Sequence, residues 1–348
     1  MVNVGLVGFG FAGSIFHAPI ISAVPGLKLR AILQRTGNNA AAAFPNAMVV
    51  RSLDELLGIE EIKLIVIATP NTSHYSIAKQ CLVAGREVVV DKPFTTTYAE
   101  AEELVRLAQQ RGRLLTVYQN RRFDGDFRTL QELLGANRLG RVVLFETHFD
   151  RFRLELRPNA WRECPQPGSG IFFDLGVHLL DQALLLFGHP QALTADIRSE
   201  REGARVDDAF DVTLHYPRRL VLLRSSMLAL APDLRFLLRG EQGTYIKYGL
   251  DPQEDALKRG EVPRDDTWGR EERDKWGVLY RPNSSGIEAE TIPTHPGNYC
   301  LFYGNVRDAI LGNAQIEVTH EQMLDVIYGV ELARKSSEEK RTLEWRRG

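Results

Sequence analysis

Short apolar runs alternate with amphipathic stretches along the first 120 residues. Val2–Val7, Leu27–Leu33, Met48–Val50, Ile62–Ala68, Glu87–Val90 and Leu114–Val117 are mostly apolar and rich in β-branched residues, as strands covered on both faces are. Helix patterns lie between them. Ser52-Leu53-Asp54-Glu55 is a capping box ahead of a short helix. Thr97–Gln110 repeats apolar positions at helical spacing, with acidic residues in its early turns. Six strands alternating with helices predict a parallel, doubly wound sheet with right-handed crossovers, the α/β architecture of a nucleotide-binding domain.

The pattern changes after Asn120-Arg121-Arg122. Asp126–Leu134 reads as a helix and Arg141–Phe152 as a long strand. Phe210–Tyr216, Leu220–Leu228, Arg235–Arg239 and Thr244–Tyr248 follow as strands without helices between them. Phe210, Val212, Leu214 and Tyr216 alternate as in a half-buried antiparallel strand. Glu241-Gln242-Gly243 reads as a hairpin turn. Asp251–Gly286, highly charged and carrying Pro252, Pro263 and Pro282, reads as a long surface excursion. Glu321–Lys335 closes the chain as a helix. The expectation is a Rossmann-type domain over residues 1–121 and a mostly antiparallel α+β domain over 122–348. The last helix, about 320–336, is free to pack back on the first domain.

Length and composition agree with two domains: 348 residues, 44% apolar, 25% charged. A net charge of −2 gives no electrostatic reason to expect nucleic acid or a membrane surface. Leu179–Phe187, the longest apolar stretch, is interrupted by Asp181 and Gln182 and falls short of the roughly 20 residues a spanning helix needs. The first residues read as a strand rather than a leader. Cys81, Cys164 and Cys300 are odd in number and widely spaced, which suggests reduced thiols and a cytoplasmic setting. His148, His189, His215, His295 and His320 show no ligand spacing, so no metal is expected. His17 reads as a packed helix residue.

The stretch VGFGFAG follows the first strand and opens a helical pattern over Ser14–Val24. In that context Gly8 permits the tight turn, Gly10 lets backbone approach a pyrophosphate, and Gly13 lets helix pack on strand. Gly8, Gly10, Phe11 and Gly13 are the cofactor candidates of this turn, with the phosphates at the helix N-terminus. After the second strand, where an NAD enzyme carries Asp or Glu for the ribose 2′-hydroxyl, this chain reads Gln34-Arg35-Thr36. Nothing there repels a 2′-phosphate, and Arg35 and Thr36 suit one, so NADP is expected over NAD.

Asp91-Lys92-Pro93 lies at the carboxyl end of the fifth strand, where open α/β sheets take their ligands. Asp174 and His178, four apart, share one face of an otherwise apolar helix preceded by Gly168-Ser169-Gly170, and Asp181 adds a further turn. Buried titratable groups on an apolar helix are costly unless they line a site.

These three motifs in this order resemble the Gfo/Idh/MocA oxidoreductases over essentially the whole chain. The resemblance implies an N-terminal Rossmann domain and a C-terminal domain with an open antiparallel sheet. It implies Lys92, Asp174 and His178 as the catalytic set. It also implies that Thr69, Pro70, Asn71 and His74 lie along the nicotinamide half of the cofactor, with Asp91, Asn120, Trp161 and Arg162 nearby. The sequence departs from the common pattern at Asp91, usually Glu, and at Ser169, usually Gly; neither change removes a reacting group. The phrases NRRFDGDF, FDRFR, YGLDPQE and PGNY look like a subgroup containing NADP-dependent scyllo-inositol dehydrogenases.

The resulting expectation is hydride transfer between NADP and a secondary alcohol of a cyclic polyol or sugar. His178 serves as base and Lys92 hydrogen-bonds the oxygen that gains negative charge, although sequence leaves their roles exchangeable. An aldose or keto-sugar dehydrogenase, a redox-assisted glycoside cleavage and a dinucleotide-sensing regulator are the competing readings. A sheet with one uncovered face also suggests a homodimer or homotetramer.

Overall fold

The computed structural model describes residues 1–157, 160–230, 233–263 and 267–347. It divides into two compact units. One comprises residues 1–120, 253–268 and 298–324; the other comprises 121–252, 269–297 and 325–348. The main division falls after residue 120, and two later segments belong with the N-terminal unit.

In the first unit, β1 (Val2–Val7), β2 (Leu27–Leu33), β3 (Met48–Val50), β4 (Ile62–Ile67), β5 (Glu87–Val90) and β6 (Leu115–Val117) form a wholly parallel sheet of order β3-β2-β1-β4-β5-β6. The strand order reverses between β1 and β4, the crevice at which such sheets bind ligands. The first crossover begins with a π-wound turn, Ala12–His17, and continues as α1 (Ala18–Ala23). α2 (Asn39–Ala43), α3 (Leu53–Leu57), α4 (His74–Val83) and α5 (Tyr98–Arg111) follow. The expected cap forms, Ser52 accepting from the Glu55 N–H at 3.2 Å, and Thr97 caps α5 in the same way, accepting from the Glu100 N–H at 3.3 Å.

The second unit contains α6 (Gly125–Gly135), β7 (Val142–His148), a π-wound turn Phe172–Gly176 running into α7 (Val177–Phe187), β8 (Ala192–Arg198), β9 (Ala209–Tyr216), β10 (Arg219–Ser226), β11 (Leu234–Gly240) and β12 (Thr244–Tyr248). After α8 (Gln253–Lys258), which belongs to the first unit, come β13 (Gly277–Asn283) and β14 (Gly286–Ile292). The chain ends with α9 (Cys300–Ile310) in the first unit, α10 (His320–Glu339), which crosses the division at residues 324/325, and β15 (Leu343–Glu344). The nine-stranded sheet has the order β14-β13-β12-β11-β7-β10-β9-β8-β15. Among the described residues every neighbouring pair in it is antiparallel except β7 with β10.

Alternation decides which side of that sheet is covered. Phe145, Val221, Leu223, Leu238, Tyr245 and Leu279 are buried in one core with Leu130 of α6, Leu180 of α7 and Val330 of α10. Leu220, Tyr248 and Tyr280 stand exposed on the opposite face. Two expectations are corrected here. The strand expected over Arg141–Phe152 ends at His148, and Phe152 joins the sheet only through an isolated bridge to Leu228. Asp251–Gly286 is not a surface excursion throughout: it supplies α8 and β13, and Lys247 meets Glu271 at 2.8 Å with both side chains buried. Paired charge makes that segment a tolerable part of a core, and composition alone does not reveal the pairing.

Candidate active site

The glycine turn of the first unit meets the demands of a dinucleotide. Gly8 has φ +98°, and a Cβ there would lie 2.5 Å from the Ala68 carbonyl oxygen, so only glycine fits. A Cβ on Gly13 would run into the Gly8 carbonyl, which is the close approach of helix to strand. Gly10 faces open space, with no protein atom within 4 Å of a built Cβ. The turn therefore combines a strained corner, a packed corner and one bare stretch of backbone, the cradle a pyrophosphate requires. The Gly10 carbonyl is fixed by the Ser14 N–H at 2.9 Å and the Ser14 hydroxyl at 2.8 Å. Phe11 is exposed, its ring edge-on to Phe16.

Gln34 does not face out where an NAD enzyme has its carboxylate. Its Oε1 accepts from the Ala40 N–H at 3.0 Å and its Nε2 donates to Asn39 Oδ1 at 2.9 Å. Arg35 and Thr36 are exposed.

Past β4, Ala68 hydrogen-bonds back to Val7 and the chain turns through Thr69, Pro70 and the buried Asn71. His74, wholly buried, sets its Nδ1 2.8 Å from the Pro93 carbonyl and its Nε2 2.9 Å from the Thr69 carbonyl. It braces the ends of β4 and β5 against each other. Burial holds its pKa below the ordinary value, against Asp91 and the two carbonyls, which pull it up. Lys92 follows β5, and its N–H donates to Asp91 Oδ1 at 2.8 Å. Desolvation raises the Asp91 pKa, but His17, Lys92 and His74 outweigh it and leave the carboxyl below its ordinary value. His17 is buried as expected for a packed residue, yet its Nε2 lies 3.6 Å from Asp91 and its Nδ1 2.5 Å from the Tyr303 hydroxyl. Asn120 is buried where the first unit ends.

In the second unit the π-wound turn carries Asp174, and His178 follows near the start of α7, buried. Arg162 Nε donates to Asp174 Oδ1 at 3.2 Å, and Arg151 Nη1 lies 3.8 Å from Asp174 Oδ2. Arg162 also stacks over Trp161, 4.4 Å from the ring centroid. Two residues expected beside the cofactor are thus joined to the expected catalytic carboxylate. The helix is pinned from below: Arg122 forks onto Asp181 at 2.8 and 2.6 Å, and Gln182 Nε2 donates to the Arg121 carbonyl at 2.9 Å. Arg151 and the partner of Asp181 were absent from the sequence reading, since an Arg in a loop looks the same whether solvated or ion-paired. Among the described residues no group of three His, Cys, Asp or Glu side chains is arranged to hold a metal, and no helix is long and apolar enough to cross a membrane.

Residues 2–119 match the family model "Oxidoreductase family, NAD-binding Rossmann fold", and residues 131–345 match "Oxidoreductase family, C-terminal alpha/beta domain". The chain belongs to the Gfo/Idh/MocA family. As a member it is an oxidoreductase of the dehydrogenase type with an NAD(P)-binding Rossmann domain. It is 46% identical to YdgJ of Escherichia coli strain K12, an uncharacterized oxidoreductase, over 98% of both chains. It is 36% identical to IolW of Bacillus subtilis strain 168, a scyllo-inositol 2-dehydrogenase (NADP(+)), over 98% of this chain and 95% of that one. The solved structure of yvaA from Bacillus subtilis has a TM-score of 0.96 at 36% identity, covering 99% of this chain and 98% of that one.

Proposed function

We propose that this Gfo/Idh/MocA oxidoreductase is an NADP-dependent dehydrogenase acting on a ring hydroxyl of a cyclic polyol or sugar, an inositol first among them. The observation that carries the cofactor is the loop after β2. The loop carries no Asp or Glu, Gln34 is taken up by bonds within it, and Arg35 and Thr36 are exposed, which suits a 2′-phosphate. Similarity to a relative that bears the name of an NADP(+)-dependent scyllo-inositol dehydrogenase supports the substrate class.

In this reading a bound nicotinamide supplies a hydride acceptor at its C4 carbon. The protein's task is the hydroxyl proton and its oxygen. His178 takes the proton on an imidazole nitrogen, and Lys92 donates a hydrogen bond to the oxygen as negative charge builds there. Asp174, oriented by Arg162 and Arg151, accepts from a neighbouring substrate hydroxyl. Positioned acid–base help of this kind is worth about 10²–10⁴-fold. The exposed face of the second sheet, with Leu220, Tyr248 and Tyr280, supports assembly into dimers or tetramers.

Initial rates with NADP⁺ and NAD⁺ against myo-inositol, scyllo-inositol, glucose and xylose test the proposal. Turnover of an inositol with NADP⁺ preferred is expected. Clear preference for NAD⁺ refutes the cofactor assignment, and an inositol inert beside an active aldose refutes the substrate. The Lys92→Met variant should bind cofactor but not turn over; substantial residual activity removes Lys92 from the mechanism.

A further inference from the structure

The loop after β2 is held partly from within, by Gln34 on Asn39 and the Ala40 N–H, and partly from outside. Gln34 through Asn38 leave β2 without a regular element, and Gly37 turns the chain at φ +79°. A Cβ on Gly37 would stand 3.0 Å from Asn39 Oδ1 and 3.3 Å from Gln34 Nε2, which together with its φ makes glycine the favoured residue at this corner. The Gln34 N–H donates to the Val50 carbonyl of β3 at 3.1 Å, and a side chain ties the loop as well: Arg51, just past the end of β3. Its Nη1 donates to the Gln34 carbonyl and to the Gly37 carbonyl, both at 2.7 Å, and its Nη2 donates to Asn38 Oδ1, also at 2.7 Å. The base of the same residue is anchored too, its N–H donating to Glu55 Oε2 at 3.0 Å at the start of α3.

One guanidinium therefore gathers three oxygens spread over five residues. Those oxygens bracket Arg35 and Thr36, whose side chains remain exposed. The planar fork, with donors at fixed angles, is what allows a single side chain to span them; an ammonium is a point charge on a flexible stem and cannot hold the same set at once.

We infer that Arg51 is a positioning residue for cofactor selectivity: it holds the β2–α2 loop in the form in which Arg35 and Thr36 meet the 2′-phosphate. The inference rests on the reading of the cofactor as NADP. NAD⁺ presents only a hydroxyl at that position and draws little on the loop, so the cost of disordering it falls on NADP⁺. Preordering of a binding loop acts on affinity without adding a contact.

The test needs no turnover. Dissociation constants for NADP⁺, NAD⁺, 2′,5′-ADP and 5′-AMP are measured by calorimetry on the full chain and on its Arg51→Met and Arg51→Lys variants. The wild type should prefer the 2′-phosphorylated member of each pair. Arg51→Met should lose about tenfold or more for NADP⁺ and 2′,5′-ADP, with NAD⁺ and 5′-AMP changed less than about twofold, and Arg51→Lys should behave like Arg51→Met. Full retention of NADP⁺ affinity by Arg51→Lys would mean that bare positive charge suffices, which overturns the positioning role. Equal losses for both dinucleotides, or none, overturn it as well. A wild type with no preference for the 2′-phosphate refutes the NADP reading itself, before either variant is examined. Arg51 is exposed, and unchanged thermal melting of both variants separates these outcomes from misfolding.

Discussion

The Asp207 carboxylate accepts the backbone N–H of Phe172 at 2.8 Å, and its backbone carbonyl accepts the N–H of Ile171 at 2.9 Å. This residue, well outside the helix, caps the segment that carries Asp174 and His178. Arg334 of α10 steadies it from behind, 3.5 Å from Oδ1. Gly170, at φ +89°, leaves no room for a Cβ beside that carboxylate. Asp207→Ala should destabilise the start of the helix by about 1 kcal/mol, the usual worth of a cap, and lower kcat. Asp207→Asn keeps an acceptor and should recover most of both; steady-state kinetics with thermal melts decide.

Gly10 and Gly13 should answer differently to the same methyl group. Gly10→Ala meets no protein atom, so melting temperature should hold while dinucleotide affinity falls by about tenfold or more, because the backbone no longer closes on the phosphates. Gly13→Ala collides with the Gly8 carbonyl and should lower both stability and affinity. Cofactor titration beside differential scanning calorimetry measures the contrast.

The Arg122–Asp181 pair is buried on both sides, 6% and 3% exposed. Removing one partner strands a charge in the core, so Arg122→Met or Asp181→Leu alone should cost about 3–5 kcal/mol in urea unfolding. The double replacement should recover part of that loss, since neither member of the ion pair is then left charged without the other.

His148 lies between Glu146 at 3.0 Å and Asp150 at 2.9 Å. Desolvation works against its protonation, but the two carboxylates prevail and raise its pKa. A raised folded-state value means the folded chain holds the proton more tightly than the unfolded one. That stabilisation is complete below the ordinary 6.5 and is lost as pH rises through the folded pKa. Wild-type stability should therefore decline above pH 6.5 by an increment that His148→Gln lacks, as melting curves from pH 6 to 9 would record.

The parallel sheet was legible because burial on both faces writes an unbroken apolar run: Val2–Val7 and Glu87–Val90 begin and end where their patterns do. β13 and β14 were not, because the charged and proline positions Arg281, Pro282, Glu288 and Glu290 leave too few buried side chains, Leu279 and Ile292 among them, to write an alternation. The same limit applies to the site. Gly8 and Gly13 announce their role through a conformation and a close approach that few other residues tolerate. Arg51 acts mostly on backbone carbonyl oxygens, which every residue has, and Asp207 caps a helix 35 residues away in the chain. Neither leaves a mark at its own position.

The first unit closes only with residues from late in the chain. His17 meets the hydroxyl of Tyr303, and the Thr116 hydroxyl donates to the Val318 carbonyl at 2.9 Å. A ribosome releasing this protein from its N-terminus will have made every strand of the parallel sheet long before either partner emerges. The dinucleotide half must then wait, with a wall missing, through some two hundred residues of further synthesis, and such distant contacts are slow to form. A fragment ending at residue 120 would hold all six strands and the whole glycine turn, yet would leave His17 without Tyr303 and stay an incomplete fold.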